Sequence, residues 1–248
     1  MKILGIIPSR YASTRFPGKP LAMINGKSMV LRVYEQAKKS KLLTKVVVAT
    51  DDQRIYDHVV DFGGEVLMTG DYHLNGTTRC YEVIEILKNS GEHFDVVINI
   101  QGDEPMIDPA NIDRVANLFK DKDTQIATLV KEITSTEDLF NNNVVKAVLA
   151  NNGKAIYFSR QAIPFARSQN NDSWLDENTY FKHIGIYGYG ASVLEKIVDL
   201  PVGKLEKAES LEQLRWIENN YTIKADITDF ESIGIDTPED LNKLETNP

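Results

Sequence analysis

Cysteine is almost missing from this chain: Cys80 stands alone among 248 residues. A single thiol closes no internal disulfide and builds no zinc site. It lies in a helical pattern beside Tyr81 and Val83, where cysteine is ordinary buried filler. Long apolar runs are missing too. The opening MKILGII meets Pro8 and then charges, too short for a signal peptide, and nothing approaches the roughly 20 apolar residues that span a bilayer. No membrane partner is expected, and a reducing, cytoplasmic setting fits. Positive charge is in deficit, with 28 Lys and Arg against 36 Asp and Glu and a net charge of −8. That balance argues against nucleic acid as a partner. Two nucleotide fingerprints are also absent. Without G-x-x-x-x-G-K-[ST] there is no Walker P-loop, and without G-x-G-x-x-G a dinucleotide-binding dehydrogenase is disfavoured.

What is there is a rhythm. KILGII (2–7), KVVVAT (45–50), EVLMT (65–69) and FDVVINIQGD (94–103) read as buried strands. Between them lie helical patterns over 28–41, from Asp51–Asp52 to Phe62, over 77–88 and over 108–119, the last with Asp108 as cap and Pro109 at the first turn. Strands alternating with helices predict an α/β fold, a mostly parallel sheet with helices on both faces. After about residue 123 the rhythm changes. QIATLVKEI, VVKAVLA, KAIYFS and HIGIYGY look like strands with fewer helices between them, and the polar stretch 166–178 reads as a flap or interface arm. A helix is expected over 204–220, with Leu205, Ala208, Leu211 and Leu214 inward, and another over 237–245. The economical reading is a single domain, 1–248, holding an antiparallel insertion at about 155–190.

Ligands of open α/β sheets bind beyond the carboxyl ends of the strands, so the residues just after each strand carry the most weight. After the first come Arg10, Arg15 and Lys19, cations spaced by small residues in a way that suits a polyphosphate. The plainer reading is a solvated basic loop. After the second comes Ala49, before Thr50 and Asp51; after the third come Asn75, Gly76, Thr77 and Arg79. The fourth delivers Gln101, Gly102, Asp103 and Glu104 at a glycine turn, and Asp103 is the best candidate for a hard cation beside phosphate. Asp236, in GIDTPED, would complete a Mg²⁺ site if it converges on Asp103; otherwise it is a capping carboxylate. His183 starts a strand beside Tyr187 and can hydrogen-bond a polar ligand, whereas His58, His73 and His93 read as solvated or structural. Arg160 follows a strand and suits a carboxylate or a surface ion pair equally. Glu212 reads as the boundary of a helix face, and Trp174 and Trp216 read as packing.

Taken together, PSRYASTRFPGKPL, VATDD, NGTTRCYE, NIQGDEPMI, YFSR, KHIGIYGY, ESLEQLR and GIDTPED resemble the 3-deoxy-manno-octulosonate cytidylyltransferases, or CMP-Kdo synthetases, of the sugar nucleotidyltransferases. The blocks stand in family order and cover nearly the whole chain. The resemblance implies a Rossmann-like nucleotidyltransferase fold with an inserted antiparallel dimerisation portion. It implies transfer of CMP from CTP to Kdo for lipopolysaccharide synthesis, with Mg²⁺, in a cytoplasmic homodimer. Carried onto this chain, Arg10 and Lys19 hold the triphosphate, and Ala49, Gly76, Thr77, Arg79 and Gln101 line the CTP pocket. Arg15, Gln101, Arg160, His183, Tyr187, Glu212 and Gln213 face the sugar. Asp103 and Asp236 bind Mg²⁺, and Arg10, Lys19 and Asp103 carry the catalysis. The family commonly has Ala at position 9, Ser at 75, an acid at 78 and Arg at 190; here stand Ser9, Asn75, Thr78 and Gly190. A related acid sugar such as 8-amino-Kdo is the near alternative, and a nucleotide-binding regulator is the non-enzymatic one.

Overall fold

The computed structural model describes residues 1–13, 15–167, 170, 173–231 and 234–241. Its first half alternates strand and helix. β1 (Ile3–Pro8) leads through a 3-10 turn (Lys19–Leu21) and a small hairpin, β2 (Met23–Ile24) with β3 (Lys27–Ser28), into α1 (Met29–Ala37). Then follow β4 (Lys45–Thr50), α2 (Gln53–Asp61), β5 (Val66–Met68), α3 (Gly76–Asn89), β6 (Val96–Asn99) and α4 (Pro109–Leu118). Each of these helices starts where a short polar side chain takes up a first-turn amide: Ser28, Asp52, Asn75 and Asp108 all accept such a bond.

The second half is strand-rich: β7 (Ile126–Glu132), α5 (Thr136–Phe140), β8 (Lys146–Leu149), β9 (Ala155–Ser159), α6 (Trp174–Glu177) and β10 (Phe181–Gly190). It closes with α7 (Ala191–Ile197), α8 (Lys204–Glu209), α9 (Gln213–Glu218) and β11 (Ile223–Ile227). The main sheet runs β11-β7-β10-β6-β1-β4-β5, with β8 and β9 continuing from β10. β1, β4, β5 and β6 are parallel, and so are β7 and β11; β10 is antiparallel to both its neighbours, β6 and β7. This is the mostly parallel α/β sheet, flanked by helices, that the sequence pattern predicts.

Both faces of β1 are covered, which is why it reads as a continuous apolar run instead of an alternating one. Ile3 and Ile7 point into one layer with Val30, Val33, Ile55, Val59, Ile112 and Val115. Leu4 and Ile6 point into the other with Val83, Leu87, Leu194 and Trp216. From β1 the chain steps outward on one side, to β4 and then β5, and crosses back to β6 on the other, so the connections diverge at β1. That divergence opens a crevice.

The structure departs from the sequence pattern in two ways. The helix expected over 204–220 breaks into α8 and α9 at Ser210, whose φ of 54 is left-handed. The break turns Leu205 and Ala208 away from the core while Leu211 and Leu214 stay in it. It also frees Glu209 to accept from the Ser159 hydroxyl (2.7 Å) and the Arg160 amide (2.9 Å). Second, the β2–β3 hairpin, α5, α6, α7 and β11 are additional to the elements read from sequence. β11 is five residues pairing parallel with β7 at the sheet edge, too short for its period to stand out. The closing segment 237–245 lies partly outside the described residues.

Candidate active site

A cleft of about 340 Å³ opens where β1 and β6 end. Three segments build its charged side. The loop after β1 carries Arg10 and Arg15 and then tightens at Gly18, whose φ of +71 suits glycine and whose N–H bonds the Tyr11 carbonyl (3.0 Å). Tyr11 itself lies under the Arg54 guanidinium, 3.4 Å from the ring centroid, while Arg54 is held by Asp52 (2.6 Å). The loop thus delivers Lys19 from a braced turn. Ser9 is buried at the start of it: its N–H bonds the Ala49 carbonyl (2.8 Å) and its hydroxyl bonds the Ile7 carbonyl (3.4 Å). It stitches β1 to β4 where the loop begins.

Lys19 is the hub. Its ammonium donates to Asp103 at 2.8 Å and to Asp236 at 3.3 Å, and Arg15 reaches Asp236 at 3.1 Å. The tail that carries Asp236 is anchored by Ile235 N–H to the Asp103 carbonyl (2.9 Å). Two carboxylates more than 130 residues apart therefore converge on one cation. Arg10 is exposed, and its guanidinium has no partner among the described residues.

The N-terminus of α3 forms the second side. Asn75 caps it through Thr78 N–H (2.9 Å), and Gly76 is glycine because a Cβ there would stand 2.8 Å from the Asn99 amide. Thr77 is buried, and its hydroxyl donates to Glu212 (3.1 Å). Arg79 lines the cleft, yet its guanidinium is engaged by Thr69 (2.5 Å) and Asp51 (2.8 Å), so it braces the α3 entry.

The third side is aromatic. Tyr187 and Tyr189 stack on each other and both pack edge to face against Trp216, with the Tyr187 and Trp216 centroids 5.1 Å apart. Burial pushes both tyrosine hydroxyls well above their ordinary range. Among the described residues the Tyr187 hydroxyl and the Trp216 indole N–H have no hydrogen-bond partner. Glu212 bridges this wall to α3, accepting from Asn75 (3.0 Å) as well as Thr77. Burial holds its carboxyl above the usual range, against the pull of the Thr77 hydroxyl. Gln213, buried beside it, also faces the cleft. Gln101 donates to the Gly185 carbonyl (2.7 Å) at the bulge in β10, which ties the β6 turn to this wall.

Twelve of the residues singled out from the sequence line this one cleft: Arg10, Arg15, Lys19, Gly76, Thr77, Arg79, Gln101, Asp103, Tyr187, Glu212, Gln213 and Asp236. Three do not. Ala49 is buried within β4, opposite Pro8. Arg160 donates to the Glu209 carbonyl (2.7 Å) and to that of Asn142 (3.2 Å), away from the cleft. His183 sits behind Tyr187, ring to ring at 5.1 Å, and bonds Thr128 (2.9 Å). The residue as a whole is only part-buried, but its ring lies between Phe158 and Tyr187, and loss of water there pushes its imidazole down to about 4. Sequence reasoning passed over Asn99, Tyr189 and Trp216 as cleft walls, and placed His73 only among solvated or structural histidines. His73 is buried and lines the cleft; its place three residues before Gly76 was the available signal.

Residues 4–227 match the family model described as Cytidylyltransferase. The chain is 56% identical over 247 residues to the 3-deoxy-manno-octulosonate cytidylyltransferase of Parabacteroides distasonis, covering 98% of this chain and 96% of the relative. The protein of the same name from Bacteroides thetaiotaomicron is 54% identical, with 99% and 97% covered. Among solved structures, CMP:2-keto-3-deoxy-manno-octonic acid synthetase complexed with CTP superposes with a TM-score of 0.90 at 38% identity, covering 99% of this chain and 98% of the other. The chain belongs to the cytidylyltransferase family, among its 3-deoxy-manno-octulosonate cytidylyltransferases.

Proposed function

We infer that this chain is an enzyme that transfers CMP from CTP to the anomeric hydroxyl of Kdo, releasing pyrophosphate and forming CMP-Kdo for lipopolysaccharide synthesis. The observation that carries this is the cleft at the sheet's crevice, where a cationic loop and two convergent carboxylates face an aromatic wall. The bond formed joins the anomeric oxygen to the α-phosphorus. The bond broken releases pyrophosphate, and the hydroxyl gives up its proton. Both substrates are anions and repel each other, so fixed cations are what bring them together in line. Arg10 and Lys19 take the triphosphate and stabilise the charge that develops on its oxygens. Arg15 stands at the junction with the sugar acid. Gly76, Thr77 and Gln101 shape the nucleotide side, with Arg79 fixing their backbone. Tyr187, Glu212 and Gln213 offer the sugar a hydroxyl, a carboxyl and an amide.

Mg²⁺ is the proposed cofactor. The fit rests on Lys19: its ammonium already occupies a seat made by Asp103 and Asp236, so two carboxylates are placed to share one cation. When bound, the ion neutralises phosphoryl charge. The same two acids separate this reading from a nucleotide-binding regulator, which needs the basic loop but not a pair of metal-seating carboxylates.

A cytoplasmic homodimer is also proposed. Ile156 and Phe165 are exposed beside the antiparallel strands, 55% and 74% accessible, and a second copy would cover them. Among the described residues no helix is long and apolar enough to cross a membrane. The deciding experiment is pyrophosphate release across four nucleoside triphosphates and several acid sugars, with 8-amino-Kdo included. Release with CTP and Kdo is expected. None with CTP and any 3-deoxy-ulosonic acid overturns the reading. Preference for the amino sugar replaces the substrate.

A further inference from the structure

The segment from Gly70 to Asn75 connects β5 to α3 and has no regular hydrogen-bond ladder of its own. It is nonetheless pinned at several points, and the pins meet at His73. Nε2 of His73 bonds Oε2 of Glu82, from the second turn of α3, and the same oxygen accepts Gly70 N–H at 2.9 Å. Nδ1 of His73 lies 3.1 Å from the Thr78 hydroxyl. That hydroxyl is 3.0 Å from Asn75 Oδ1, the atom that caps α3. The Asn75 amide then reaches Glu212 at 3.0 Å. One chain of polar contacts thus runs from Glu82 through His73, Thr78 and Asn75 to Glu212, along the cleft wall. Burial alone would raise the Glu82 carboxyl; the imidazole and the Gly70 amide outweigh it and hold it below its ordinary range. With Glu82 ionised, Nε2 is the donor and keeps the ring in one orientation.

The loop needs this clamp. Its neighbours on either side of His73 contribute little apolar anchoring: Tyr72 and Leu74 are 69% and 90% exposed, and Leu74 lies on the cleft rim. His73 is the one buried side chain between Asp71 and Leu74, and everything after it, Asn75, Gly76 and Thr77, forms the nucleotide side of the cleft.

We propose that His73, fixed by Glu82, is a positioning residue for the nucleotide: it sets the place of Asn75 and the first turn of α3 and thereby the affinity for CTP. It acts through the cap and need not touch the substrate. This rests on the nucleotide occupying the cleft described above.

The test is steady-state kinetics on the full-length protein with each substrate varied in turn. His73→Ala is expected to raise KM for CTP about tenfold, the worth of one hydrogen bond in a buried chain. KM for Kdo and kcat should each move less than about threefold. His73→Gln, which keeps a donor for Glu82, should recover most of the loss, and Glu82→Ala should reproduce it. A thermal melt of each variant separates placement from folding. An unchanged KM for CTP in His73→Ala overturns the proposal. So does a parallel rise in both KM values with a lowered melting temperature, which is what a scaffold residue gives. Lys19→Ala run beside them tells this failure from a misplaced nucleotide. If Lys19→Ala stops turnover while His73→Ala leaves KM for CTP alone, the clamp is wrong and the cleft stands. If Lys19→Ala turns over normally, the cleft assignment falls, and the clamp with it.

Discussion

The two sides of the cleft are built on opposite principles. The side fed by the loop after β1 is ionic, partly open to water and internally paired: Lys19 lies between Asp103 and Asp236, and Arg15 on Asp236. The side fed by β10 and α9 is aromatic and dry, and among the described residues it leaves two polar atoms without partners, the Tyr187 hydroxyl and the Trp216 indole N–H. On the proposed function the ionic side would rearrange, because Lys19 cannot serve the carboxylates and a triphosphate with the same hydrogen bonds. Water screens the Arg15–Asp236 pair, which is largely exposed, whereas the Lys19–Asp103 pair is more enclosed. The aromatic side cannot rearrange cheaply, because its packing is tight. Its unmet hydrogen bonds each cost roughly 1–3 kcal/mol, and on the proposed function the sugar would meet them.

The largest effect should come from the hub. Lys19→Ala is expected to lower kcat by about a hundredfold or more with the fold intact, as removal of a transition-state cation does. Stopped-flow pyrophosphate release measures it, and near-normal turnover would break the ionic half of the contrast. Next, Lys19→Met should tighten Mn²⁺ binding to nucleotide-free protein by about tenfold, because the ammonium no longer competes for the carboxylates. Paramagnetic resonance of free Mn²⁺ reads this. Equal affinity in both proteins means the acids do not form a cation seat. Tyr187→Phe sharpens the aromatic half. It should raise KM for Kdo by about tenfold or less while the melting temperature stays level, since no protein partner is lost. A fall in melting temperature with unchanged KM would make the hydroxyl structural.

The last effect appears only in acid. The folded-state value of His183, about 4, lies below its unfolded value, so the unfolded chain binds the extra proton between the two. Stability is therefore full above the unfolded value near 6.5 and declines as pH falls towards 4, by at most about 1.4 kcal/mol per pH unit. His183→Gln should flatten that slope in denaturant titrations over pH 4.5–6.5, estimated as about one proton's worth of linkage. An unchanged slope would remove the residue from the dry side of the comparison.

Legibility in the sequence followed the same division. The ionic residues announced themselves, because Arg10, Lys19, Asp103 and Asp236 all follow strands or glycine turns, where open α/β sheets bind ligands. The aromatic wall did not. Trp216 and Tyr189 look like core residues from their spacing, and they are core residues on one side and cleft on the other. His73 offered only its place before Gly76, because a buried loop histidine has no periodicity and its partner Glu82 becomes its neighbour only when α3 folds back against the loop.

The sequence by itself determined the fold class, the order of strands and helices in the first half, the family, and the charged residues of the rim. These depend on local patterns: apolar runs, caps, glycine turns and motif blocks. Tertiary structure alone decided that β10 enters the sheet antiparallel between β6 and β7. It decided too that Ser210 splits a helix, and that Arg79 and Arg160 are tied up in the scaffold. Pairing between segments far apart in the chain sets these, and no local window contains both partners. For the same reason one lysine comes to sit between two acids that are 133 positions apart, 103 and 236.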